Sequence, residues 1–286
     1  MPMQSIRSVV KRSAAALGVE IMTRTGRGDL ERGRLDAIEE YLKLLAWTRN
    51  VGMPDNPRRV PLLARLVGTG TGEGVHLIAL LNQVLDLPGD VCECGVGTGA
   101  TSALFANELR ATGKRLWLYD TFAGLPKPGA EDKLIDDIDQ LGTIGAYEGR
   151  MNHPQVEVTS RLRGLGVPDD AYRIVPGLFE HSVAAGALPD QVCFAYVDFD
   201  FYAPIKLALE VISARLAPGG VIVVDDYGFF SEGAQTAVDA FISEQADRFE
   251  IEVPTYCNDH FAIIRLKDGH SRTAAMAANS SAAPIA

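Results

Sequence analysis

Short apolar runs of strand length alternate with amphipathic helical stretches along the middle of this chain, and that alternation constrains the fold more than any other feature. Strand-like runs occupy Asp90–Cys94, Arg115–Tyr119, Tyr172–Val175, Val192–Val197 and Val221–Val224, with two closing runs at Phe249–Pro254 and Phe261–Leu266. Helical spacing covers Asp29–Arg49, Gly74–Leu85, Thr101–Ala111, Ala203–Leu216 and Ala234–Glu244. Strands that alternate with helices build a parallel sheet covered on both faces. The expected fold is therefore α/β and Rossmann-like, a seven-stranded, mostly parallel sheet with a helical arm before it. In such sheets ligands sit beyond the carboxyl ends of the strands, where the strand order reverses. The residues just past each strand are the ones to read for chemistry.

The first strand exits through Glu93-Cys94-Gly95-Val96-Gly97-Thr98-Gly99. Glycines at alternate positions let the backbone approach a ligand and turn directly into a helix. A dinucleotide fingerprint would place its third glycine one position later, at Ala100, where alanine is also tolerated. The acid Glu93 at the strand end favours S-adenosylmethionine, whose charged amino-acid part needs polar partners. Asp120 ends the second strand 21 residues beyond Gly99, the place of an acid that hydrogen-bonds ribose hydroxyls in either kind of adenosine-ligand site. Two later strands exit into Asp198-Phe199-Asp200 and Asp225-Asp226. If register holds, four carboxylates meet at one sheet edge, and clustered carboxylates call for a hard cation such as Mg²⁺. Asp198 and Asp200 share a side of an extended chain, whereas Asp225 and Asp226 do so only if a turn follows the strand.

Four runs in order carry a resemblance to a known family. They are Glu93-Cys94-Gly95-Val96, Tyr119-Asp120-Thr121-Phe122-Ala123-Gly124-Leu125-Pro126, Asp198-Phe199-Asp200-Phe201-Tyr202 and Gly219-Gly220-Val221-Ile222-Val223-Val224-Asp225-Asp226-Tyr227-Gly228. Over about residues 70–268 the chain resembles the macrocin O-methyltransferase family, metal-dependent enzymes that methylate sugar hydroxyls of antibiotics from S-adenosylmethionine. The resemblance implies Asp198, Asp225 and Asp226 as Mg²⁺ ligands and Asp200 as general base or a close support for it; His153 and His260 stand in the sequence as rival bases. It implies Glu93, Gly95, Gly97, Thr98, Asp120, Phe122 and Asp198 as cofactor-binding residues. The acceptor it implies is a sugar or glycosylated small molecule. The chain departs from the family where a Ser-Thr pair usually follows the second acidic motif; here stand Ala203-Pro204-Ile205, and Gly97 replaces a bulkier residue. A catechol-type O-methyltransferase would share the metal logic. An NAD-dependent oxidoreductase is disfavoured by the glycine spacing and by the lack of a Tyr-x-x-x-Lys pair, and a non-catalytic module by the intact carboxylates.

Composition sets the outer limits. The net charge of −10 argues against nucleic acid as a partner. Four cysteines in 286 residues are too few for a disulfide scaffold and read as reduced thiols of a cytoplasmic protein. No apolar run reaches the ~18 residues of a membrane span. Residues 1–73 read as a helical arm or cap, basic at its start (Arg7, Lys11, Arg12, Arg24, Arg27), that covers the acceptor site or contacts a second copy, so a homodimer or higher homo-oligomer is expected. Residues 74–268 form the catalytic domain, interrupted at about 127–163 by an acidic, lid-like insertion, and residues 269–286 read as a disordered tail.

Overall fold

The computed structural model describes residues 53–54, 56–254 and 260–267. The expected arm helix over Asp29–Arg49, the basic start of the chain and the tail at 269–286 lie outside the described residues. A short helix α1 (Arg59–Leu63) and α2 (Thr71–Val84) lead into β1 (Asp90–Cys94), α3 (Ala100–Glu108) and β2 (Leu116–Asp120). Then come α4 (Gln155–Gly164), β3 (Tyr172–Pro176), α5 (Phe179–Ala184), β4 (Val192–Val197), α6 (Tyr202–Ser213) and β5 (Leu216–Val224). The chain closes through α7 (Glu232–Glu244), β6 (Phe249–Glu252) and β7 (Ala262–Leu266). Among the described residues no helix is long and apolar enough to cross a membrane.

The sheet order is β3-β2-β1-β4-β5-β7-β6, with only β7 antiparallel to its neighbours. This is the α/β architecture expected from the alternation. Order reverses between β1 and β4, so the topology opens a crevice beyond Cys94 and Val197, which are paired in register. The central strands are buried on both faces. One side packs Ile205, Leu209 and Ile212 of α6 and Ala237, Val238 and Phe241 of α7; the other packs Leu77, Leu80 and Leu81 of α2 and Phe105 of α3. Phe105 meets Phe194 and Tyr196 edge-on, with ring centroids 5.6 and 5.9 Å away. The three described cysteines, Cys92, Cys94 and Cys193, are free and buried in this core.

The insertion has more structure than its acidic composition suggests. It holds a 3₁₀ turn at Ile144–Tyr147 and the whole of α4, which is the crossover helix between β2 and β3. The period signal of α4 is weak because only Val158 and Leu162 are buried in it. Within the Glu131–Asp139 stretch, Asp137 accepts hydrogen bonds from the Tyr147 hydroxyl (2.7 Å) and from the N–H groups of Leu141 and Gly142. Tyr147, Phe201 and Phe230 form a separate buried aromatic cluster beneath the insertion.

Candidate active site

Glycine geometry brings the first and fourth strand exits together. Gly95 has φ +92°, and a methyl group there would overlap the carbonyl oxygen of Asp198. The Asp198 N–H donates to the Cys94 carbonyl at 2.6 Å, so the two exits run in contact. Gly99, in the left-handed region at φ +74°, ends the loop and opens α3 against Val158, whose side chain a Cβ would meet at 3.1 Å. Beyond the exits lies a cavity of about 650 Å³, within the usual range for ligand pockets. Gly95, Gly97, Thr98, Asp120, His153, Asp198, Asp200, Asp225 and Asp226 all line it.

Asp120 organises the glycine loop directly. Its Oδ2 accepts from the N–H groups of Val96 (2.8 Å) and Gly97 (3.0 Å), and its Oδ1 from the N–H of Phe122 (2.7 Å). Oδ1, with one donor, keeps acceptor capacity. Two expected cofactor residues stand elsewhere. Glu93 is fully buried and absent from the cavity wall; it accepts hydrogen bonds from Thr101 and Ser102 (2.5 Å) in the first turn of α3. Burial raises its pKa to about 8 despite those bonds. It fixes the helix under the loop, because the pleat turns its side chain inward from β1. Phe122 is also absent from the wall and packs against the core beside α4, its backbone turned at φ +52°.

The acid-bearing exits converge. One carboxylate oxygen from each of Asp198, Asp200 and Asp226 falls within 4.8 Å of the others. Burial first, and then repulsion from neighbouring acids led by Asp225, pushes Asp198 and Asp226 well above the carboxylate range and Asp200 to about 7. Asp200 and Asp226 both turn through the left-handed region (φ +61° and +58°), which aspartate tolerates better than most residues. That turn at Asp226 resolves the adjacency of Asp225 and Asp226: strand β5 ends at Val224, and the two side chains part. Asp225 accepts from the Tyr196 hydroxyl at 2.5 Å, and the same hydroxyl lies 3.0 Å from Glu73 on α2. The close trio thus contains Asp200, the expected base, while Asp225 lines the cavity from behind.

The two histidines separate. His153 lines the cavity beside Gly97, with Glu157 4.0 Å away, on the glycine-loop side. His260 is exposed, stands outside the wall and stacks on Phe229 at 4.7 Å. Tyr196 and Glu73 carry no motif signal: the tyrosine reads as one more apolar strand position and the glutamate as a helix-start acid. Only the register pairing Tyr196 with Val223 aligns it with the β5 exit.

A family model described as Macrocin-O-methyltransferase (TylF) matches residues 60–264. The 8-demethyl-8-(2,3-dimethoxy-alpha-L-rhamnosyl)-tetracenomycin-C 4'-O-methyltransferase of Streptomyces olivaceus is 33% identical over 144 residues, 49% of this chain and 54% of that protein. The mycinamicin III 3''-O-methyltransferase of Micromonospora griseorubida is 28% identical over 146 residues, covering 49% and 56%. The chain spans about half the length of the curated relatives it matches. Among solved structures, the O-methyltransferase NovP superposes with a TM-score of 0.57 at 20% identity, over 80% of this chain and 98% of that one. The calicheamicin methyltransferase CalS11 gives 0.53 at 21%, over 80% and 91%. These two similarities establish the fold, and the family match covers most of the described residues. The chain belongs to the macrocin O-methyltransferase family.

Proposed function

We propose that this protein is a divalent-cation-dependent O-methyltransferase acting on a sugar hydroxyl of a glycosylated small molecule, with S-adenosylmethionine as methyl donor. The observation that carries the reading is the convergence of Asp198, Asp200 and Asp226 at the switch-point cavity of a chain in this family. The donor set is all oxygen, and mutual repulsion favours a cation over an empty cluster, so the residues fit a hard ion such as Mg²⁺. Asp198 and Asp226, with Asp225 behind them, would hold it. Such an ion, when bound, lowers the pKa of an acceptor hydroxyl.

Charge also supports the choice of cofactor. Asp120, Glu180, Asp198, Asp200, Asp225 and Asp226 line the cavity, with Lys127 as the one lysine or arginine among the described lining residues. An anionic dinucleotide would meet net repulsion there, and a sulfonium net attraction. S-adenosylmethionine supplies a methyl group already made electrophilic by its sulfonium. Asp120 holds the glycine loop in the shape that admits it, and Gly97 leaves open space beside His153. Asp200, which lines the cavity beside the cluster, takes the acceptor proton at its carboxylate oxygen. The wall beside it is apolar: Ala203, Pro204, Leu207, Phe229, Ile138 and Met151 shed water from the reacting atoms and fit an apolar aglycone.

Methyl transfer from labelled S-adenosylmethionine to a panel of glycosides and catechols, in Mg²⁺ and in EDTA, tests the reading. It expects product on glycosides in Mg²⁺ alone. Asp200→Asn is expected to lower kcat by about 10²–10⁴-fold while retaining cation binding. Asp198→Asn is expected to lose the cation itself. Turnover in EDTA, or transfer to catechols alone, would reject it.

A further inference from the structure

Asp132 belongs to the acidic insertion and is absent from the cavity wall, yet it is only 4% exposed. Its Oδ1 accepts from the backbone N–H of Tyr202 at 2.8 Å and from the Ser231 hydroxyl at 3.3 Å; its Oδ2 accepts from the Gly129 N–H at 2.7 Å. Tyr202 opens α6, two residues past Asp200. Ser231 caps α7, five residues past Asp226, by accepting from the Gly233 N–H at 3.0 Å. One carboxylate therefore joins the two segments that deliver the acid cluster.

The seat is specific. A methyl group on Gly233 would overlap Asp132 Oδ1, so the approach exists because position 233 has no side chain. Backbone hydrogen bonds from Ile135 to the Phe230 carbonyl and from Glu232 to the Lys133 carbonyl, each 2.8 Å, lay the insertion along the β5 exit. Asp200, Asp226 and Phe230 all take positive φ, conformations that persist only where the surroundings over-determine them.

We propose that Asp132, seated against Gly233, is a positioning residue that sets the separation of the two acid-bearing strand exits and thereby the cation affinity of the cluster. This rests on the reading of Asp198, Asp225 and Asp226 as the cation site. Supporting contacts around metal ligands typically govern affinity by ~10–100-fold.

The test is binding of Mn²⁺, followed by its spin-resonance signal in the absence of donor and acceptor, together with thermal melting. Wild type is compared with Asp132→Ala, Gly233→Ala, the double variant and Lys133→Ala. The Lys133 side chain makes an exposed ion pair with Glu232 of α7, and its truncation, which leaves the backbone contact intact, serves as control. We expect Asp132→Ala and Gly233→Ala each to weaken Mn²⁺ binding by about tenfold or more, the double variant to be no worse than the weaker single, and Lys133→Ala to bind as wild type. Should Asp132→Ala not fold, Gly233→Ala, whose methyl group displaces Asp132 Oδ1 from its seat, carries the same criterion. Wild-type affinity in folded Asp132 variants, or additive losses in the double variant, overturns the proposal while leaving the cation site standing. A wild-type protein that takes up no Mn²⁺ overturns the cation site and the proposal with it.

Discussion

Glu93 and the Asp198–Asp200–Asp226 trio are both raised above the carboxylate range, with different consequences that can be measured. Glu93 is locked under α3, where burial lifts its pKa to about 8. An unfolded glutamate releases its proton near pH 4.3, so between about pH 4 and 8 folding retains a proton the unfolded chain has lost. Its stabilising contribution is complete below that window and is lost as pH rises through it. Glu93→Gln, which has no proton to lose, is expected to flatten the fall in melting temperature between pH 5 and 8. An unchanged pH profile would show that Glu93 ionises normally in the fold. The Asp198–Asp200–Asp226 trio is raised in the same direction, by burial and by its neighbours, but a cation can relieve it. Mg²⁺ binding should therefore release protons near neutral pH and weaken as pH falls through about 7, the value at Asp200. Calorimetry in buffers of different ionisation enthalpy counts those protons; a buffer-independent heat would show that the cluster has no proton to release.

At the scale of elements, the β1 and β4 exits depend on one glycine. Gly95→Ala places a methyl group on the Asp198 backbone carbonyl at a positive φ, just past the ends of β1 and β4, with no flexible side chain to yield. A loss of about 2–4 kcal/mol is expected, together with loss of cofactor binding, read by chemical denaturation and by titration. Stability within 0.5 kcal/mol of wild type would mean that the exits separate easily. This loop was readable from residues alone, since its glycines follow an apolar run and precede a helix. So were the strands around it, because parallel strands buried on both faces are continuous apolar runs. Helix α4 escaped because its outer face is polar and only Val158 and Leu162 anchor it. The acid cluster was legible as a set of strand exits, whereas the division of labour within it was not. That division follows from the turn at Asp226 and from Tyr196, whose hydroxyl reaches Asp225 across the sheet. The same holds for Asp132: in sequence it is one acid of a charged run, and only the fold brings Tyr202, Ser231 and Gly233 to it.

Across the whole molecule, the sheet places the glycine loop and the acid cluster on either side of one switch point, with the Asp198 backbone touching Gly95. Cofactor and cation would then share a wall, and their binding should be coupled reciprocally. An acidic chain with an acidic cavity favours cationic ligands over an anionic dinucleotide. The most direct test is calorimetric titration of the purified protein with S-adenosylmethionine and, separately, with NAD, each with and without Mg²⁺. S-adenosylmethionine is expected to bind in the micromolar range, with an affinity altered by Mg²⁺, and NAD to give no response. Binding of NAD with silence toward S-adenosylmethionine would contradict the choice of cofactor.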